Sequence, residues 1–168
     1  AAVCLHPSFA LAKTFNWTLL REEPLVLLAP RRLAERDPHE LLQTQPLILY
    51  DRQLGGGKMV QRYLKEAGIA PRERFELSSL VAIAMMVDRG LGVALVPDTA
   101  LELPDGEGVC RLPLPNTSQS RRFGVIWLRS SARRTLIEHL VASARQVVQA
   151  RGGTQVAQRQ PFSDIQKD

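Results

Sequence analysis

Cysteine is nearly absent from the chain. Cys4 and Cys110 are the only two in 168 residues, and their separation fits no metal-ligand spacing, which sets aside a disulfide framework and a zinc module. Aromatic residues make up 5%, too few for a surface on which nucleic-acid bases stack. No apolar run approaches the roughly 18 residues that a membrane-spanning helix needs. The first residues lack the basic start, longer apolar segment and cleavage site of a secretory signal. What is present is 45% hydrophobic and 23% charged, the composition of a soluble globular domain long enough to bury its own core. Lys and Arg number 22 against 17 Asp and Glu, a formal charge of +5. That excess fits a nucleic-acid partner or an arginine-rich solvated surface, and composition does not choose between them.

Ala1–Leu5 reads as a short strand with no initiating Met and no turn before it. The expectation is a piece of a larger fold, entered in its middle. After Arg151-Gly152-Gly153, the segment 154–168 is polar and without apolar period, and is expected to be a mobile tail over 151–168.

Between these ends, strands and helices alternate. Leu25–Leu28, bracketed by Pro24 and Pro30, suits a buried strand, and Leu47–Tyr50 a second. Asp37-Pro38-His39-Glu40 has a capping residue, a proline at the first helical position and a Glu at the third, which mark a helix start. Lys58–Ala67 puts Met59, Val60, Tyr63 and Leu64 on one face, with Gly68 placed for a left-handed cap. A strand near Arg74–Leu77 leads through Ser78-Ser79 to a helix, Leu80–Arg89, that is apolar nearly all round and expected to be largely buried. Strands follow at Leu91–Val96, Val109–Leu114 and Phe123–Leu128. The last helix, Ala132–Ala150, carries Leu136, Leu140, Ala144 and Val147 beside Ile137, Val141 and Val148. Alternation of this kind implies right-handed crossovers and a mostly parallel sheet, an α/β fold. The best loop or hinge candidate is Pro113–Ser120.

The chemical signals are sparse. Gly55-Gly56-Gly57-Lys58 sits between a strand and a helix, but Arg52 and Met59 stand where a phosphate loop needs Gly and Ser or Thr. Two readings remain: a plain turn, or a turn whose free amides at a helix N-terminus seat an anion. His39 and His139 read as structural. His6 follows a strand end, where α/β folds keep site residues, and stays open between the two roles. No nucleophile elbow is present, and Ser78-Ser79 lacks an evident base, so covalent catalysis finds no support. The pairs Arg31-Arg32, Arg121-Arg122 and Arg133-Arg134 are scattered and read as a solvated face.

Three stretches carry a family resemblance: Leu20-Arg21-Glu22-Glu23-Pro24-Leu25-Val26-Leu27-Leu28, Phe75-Glu76-Leu77-Ser78-Ser79, and Val87-Asp88-Arg89-Gly90-Leu91-Gly92-Val93-Ala94-Leu95-Val96-Pro97. Together they resemble the effector-binding domain of LysR-type transcriptional regulators, over residues 1 to about 150. The resemblance implies a type 2 periplasmic-binding-protein-like fold, here one complete lobe plus part of the other. On that reading 1–20 is a remnant of the first lobe, 21–129 the second lobe, and 130–150 a helix packing on the first.

Carried over residue by residue, the resemblance implies an effector cleft lined by His6, Pro7 and Ser8 from the first lobe. The second lobe would add Tyr50, Arg52, Gln53, Gly55 and Gly56 at one helix start, and Leu77, Ser78 and Ser79 at another. Arg52 is the candidate to pair a carboxylate, unless it is a solvated surface arginine. The expected partner is a small effector, of anionic character. Catalytic residues, metal and cofactor are expected to be none. The intact regulator would be a cytoplasmic dimer or tetramer, meeting DNA only through a domain absent from this chain and meeting no membrane. The alternative is a solute-binding or dehydratase-like enzyme domain on the same fold.

Overall fold

One long strand organises the molecule, and its two halves have different neighbours. The structure, a computed structural model, describes residues 1–7, 9–99, 108–115 and 120–151. The long strand is β2, Phe15–Pro30; before it comes β1, Ala2–Leu5. Then follow α1 (Pro38–Thr44), β3 (Pro46–Tyr50), α2 (Gly55–Glu66), β4 (Arg72–Leu77) and α3 (Leu80–Asp88). The order ends with β5 (Ala94–Pro97), β6 (Val109–Pro113), β7 (Ser120–Leu128) and α4 (Arg134–Arg151).

The first half of β2 pairs with β7, and β7 pairs with β1, all antiparallel, with Trp17 opposite Ile126 and Val3 opposite Val125. The register shifts between Leu19 and Arg21, a bulge that re-aims the residues after it. The second half of β2 lies between β5 and β6, again antiparallel. β3 and β4 are parallel, and the Ile48 amide donates to the Val93 carbonyl at 2.9 Å, joining that pair to the segment leading into β5. A mostly parallel sheet is therefore corrected to a mixed one. Helices separate the strands in sequence, but β2 recruits antiparallel neighbours from segments far along the chain.

Caps appear where the sequence places them. The Asp37 carboxylate accepts from the Glu40 amide at 2.9 Å, and Pro38 takes the first helical position. Gly68 closes α2 in the left-handed region at φ 66°. α2 itself begins three residues earlier than Lys58, because the glycine run enters the helix.

Along β2, burial alternates between two layers. Leu25, Leu27 and Ala29 pack with Leu41, Leu42, Val60 and Leu64 of α1 and α2, while Val26 and Leu28 pack with Ile83, Ala84 and Val87 of α3. Helices on both faces explain why this half of the strand reads as unbroken apolar sequence. α3 is not buried all round as expected: it is covered on one side, and Val81 and Met85 face solvent. On α4 the stripe that packs is Ile137 and Val141 against Val125, whereas Leu136, Leu140 and Val147 are exposed. The expected hinge lies partly at 116–119, and the expected tail at 152–168, both outside the described residues.

Candidate functional site

The end of β1, the start of β7 and the first turn of α2 enclose a cavity of about 560 Å³. His6 reaches it because β1 stops at Leu5; its amide donates to the Arg122 carbonyl at 2.8 Å, which extends the β1–β7 ladder by one bond. Its imidazole Nδ1 lies 2.7 Å from the Pro7 carbonyl. The ring stands edge-on to the Trp17 indole. Pro7, Phe9 and Ala10 continue the wall, and Gly55 and Met59 close it from α2.

The turn into α2 is built locally. The Asp51 carboxylate accepts from the Gln53 amide at 2.8 Å, and the Asp51 carbonyl accepts from the Leu54 amide at 3.1 Å. Leu54, at the N-cap, offers no side-chain acceptor, so the amides of the first turn keep their hydrogen-bonding capacity. The three glycines differ in cause. A Cβ on Gly56 would lie 2.4 Å from the Tyr50 ring, and one on Gly57 1.9 Å from the Asp51 carbonyl oxygen, so packing demands both. Gly55 has open space around it and lines the cavity.

Of the residues expected from the sequence, His6, Pro7 and Gly55 come together here. Ser8 lies outside the described residues. Tyr50 is buried beneath Gly56, and Gln53 serves the turn. Arg52 is committed elsewhere: its guanidinium bonds Glu73 and reaches Glu76 at 3.2 Å, both on β4. The Glu73 carboxylate holds the Arg52 pKa above its ordinary value. Leu77 packs against the α3 cluster, and Ser79 caps α3, accepting from the Ala82 amide at 3.3 Å. Ser78 is exposed and, with Leu77 and Ser79, stands away from the cavity lining.

Sequence reasoning missed Leu5, Phe9, Ala10, Met59, Ser120, Arg121 and Arg122. Arg121 is the consequential omission. It is not part of a solvated face: its side chain is 15% exposed and lies on Glu23, which is 1% exposed. The signal was available in Arg21-Glu22-Glu23-Pro24, a carboxylate at the mouth of an apolar strand that must find a cation. Among the described residues no group of three or more His, Cys, Asp or Glu is placed to hold a metal ion. Cys4 and Cys110 are free thiols. No helix of the described residues is long and apolar enough to cross a membrane.

A mixed α/β fold with a cavity beside a helix N-terminus is an architecture suited to binding a small ligand, and the solved regulatory domains it superposes on share the type 2 periplasmic-binding-protein-like fold. The chain belongs to the LysR substrate binding domain family, which matches residues 1–149. It is therefore an effector-binding domain of a LysR-type transcriptional regulator, as the three sequence stretches suggest. YusT of Bacillus subtilis, an uncharacterized HTH-type transcriptional regulator, is 29% identical over 140 residues, covering 80% of this chain and 44% of that protein. The chain thus spans less than half the length of this curated relative. The regulatory domain of CcmR from Synechocystis PCC6803, solved in complex with 2-PG, superposes with a TM-score of 0.68 at 20% identity, covering 87% of this chain and 72% of that one. The effector binding domain of QuiR in complex with shikimate gives 0.64 at 14% identity, covering 86% and 71%. These two likenesses speak for the fold.

Proposed function

We propose that this chain senses a small anionic effector, taken into the cavity between His6, Gly55 and Arg121, and that occupancy controls DNA binding elsewhere in the regulator. The observation that carries this reading is the convergence of Arg121, Arg122, an uncapped helix N-terminus and an imidazole on one cavity of about 560 Å³, within the size range of small-molecule pockets. CcmR and QuiR, of the same fold, are solved in complex with 2-PG and with shikimate. The domain acts by binding and has no catalytic step.

The strand pairing supports a division within β2. It redraws the expected boundaries of 1–20, 21–129 and 130–150: β1, β7, α4 and residues 15–24 make up the partial first lobe, and the second half of β2 with α1, β3, α2, β4, α3, β5 and β6 makes up the second. DNA contact belongs to a segment outside this chain, and the intact regulator works in the cytoplasm as a dimer or tetramer. Effector binding shifts the balance between lobe or subunit arrangements and so re-spaces the DNA-binding segments.

The test is calorimetric titration with small carboxylic and aromatic acids, of this chain and of the full-length gene product. Saturable binding of an acid at millimolar concentration or below is the expected result. Failure of every acid to bind either form would overturn the reading.

A further inference from the structure

Glu23 is the most enclosed ionisable side chain of the described residues, and it holds two arginines. One carboxylate oxygen accepts from Arg21 Nε at 2.8 Å and from Arg21 Nη2; the other accepts from Arg121 Nε at 2.8 Å and Nη2 at 2.5 Å. Two guanidinium groups on one carboxylate leave one positive charge in excess. Each guanidinium has also spent only two of its five N–H bonds on Glu23.

The two arginines dispose of that excess differently. Arg21 lies over the ring of Phe123, 5.1 Å from its centroid, so an aromatic face takes up its charge. Arg121 lines the cavity instead. Strand alternation puts Glu23 on the face that carries Leu25 and Leu27 deeper in the molecule. An apolar residue at that position would avoid the desolvation that a buried ion cluster suffers. The charge therefore calls for a role besides packing, and the cavity supplies one.

We propose, resting on the reading above that the cavity is the effector site, that Arg121 grips the carboxylate of a monoanionic effector and that Glu23 is its positioning residue. Glu23 fixes the Arg121 guanidinium through Nε and Nη2, which turns the remaining N–H bonds toward the cavity. Gly55, in the first turn of α2, lines the same space, and its amide takes the second carboxylate oxygen. The site distinguishes an acid from its neutral amide by Arg121 charge, and from a misplaced acid by the geometry Glu23 imposes.

The experiment uses the 168-residue chain and the indole N–H resonance of Trp17, whose ring touches His6 at the cavity; Trp127→Phe assigns it. Benzoate, shikimate and pyruvate are titrated beside their primary amides. Wild type is expected to bind at least one acid about tenfold or more tighter than its amide. Arg121→Gln, which removes the charge, should bring that ratio near unity while leaving the amide affinity unchanged; Glu23→Gln, which keeps the charge but loosens the guanidinium, should lower the ratio part of the way, and Glu23→Asp should restore some of it. Arg36→Gln, remote from the cavity, should keep the wild-type ratio. If Glu23→Gln does not fold, Arg121→Gln carries the decision. An unchanged acid-to-amide ratio in folded Arg121→Gln overturns the proposal and leaves the cavity reading standing, as does equal wild-type binding of acid and amide. Wild type that binds neither acids nor amides, both as this chain and as the full-length gene product, overturns both.

Discussion

The Trp17 indole meets the His6 imidazole edge-on, with 4.8 Å between ring centroids, and it does so across a glycine. A Cβ on Gly124 would sit 2.6 Å from Trp17 Cζ2 and 2.2 Å from the Thr18 carbonyl oxygen. The indole on β2 therefore crosses β7 at its one position without a side chain and reaches the end of β1. Gly124→Ala is expected to cost about 1–3 kcal/mol, as overpacking does. Denaturant unfolding checks the cost, and a shifted Trp17 indole resonance checks the displacement.

The two sides of α4 make a second contrast. Ile137 is 6% exposed against Val125, while its neighbour Leu136 is 65% exposed. Ile137→Ala should lose about 2–5 kcal/mol of stability, the range for a buried aliphatic cut to a methyl. Leu136→Ala should stay within about 0.5 kcal/mol. Equal losses measured in urea would contradict the assigned helix face.

The glycine run separates a packing requirement from a site. Gly57→Ala places a methyl against the Asp51 carbonyl oxygen and should destabilise by about 1–3 kcal/mol or fail to fold. Gly55→Ala meets nothing within 4 Å and should change stability by no more than about 0.5 kcal/mol. Thermal melts of the two variants side by side decide it.

Alkaline pH should weaken the fold. Burial raises the pKa of the Tyr63 phenol and of the Cys110 thiol above their ordinary values. Both groups hold their protons longer folded than unfolded, so their stabilisation is complete below the unfolded values and falls as pH rises through about 9 and beyond. Tyr63 also receives a hydrogen bond, since its hydroxyl lies 2.7 Å from His39 Nε2 while donating to the Pro115 carbonyl at 3.2 Å. Stability measured in urea from neutral to strongly alkaline pH should decline, and Tyr63→Phe with Cys110→Ala should flatten that decline. A decline of unchanged slope in the double variant would contradict the assignment.

Much of the architecture was legible because local rules govern it. Asp37, Pro38 and Glu40 start α1 wherever the chain goes next, and Gly68 ends α2 for the same reason. The unbroken apolar run Leu25–Leu28 announces a strand covered on both faces. Residues 15–24 were not recognised as its continuation, because Asn16, Thr18, Arg21 and Glu23 break any apolar pattern. They extend because β7, a hundred residues onward, pairs with them.

The site divides in the same way. His6, Pro7 and Gly55, which line the cavity, were legible because each sits at the end of a strand or the start of a helix, positions a sequence marks by its punctuation. Arg52 was favoured over Arg121 on equally local grounds. No spacing rule shows that Glu73 and Glu76 occupy the first while Glu23 pairs with the second. By itself the sequence determined the helix caps, the doubly buried strand and the membership of a family. Tertiary structure alone decided the antiparallel sheet, the exposed stripe of α4 and which arginine faces the cavity, because charge pairing and strand pairing join residues that the chain keeps far apart.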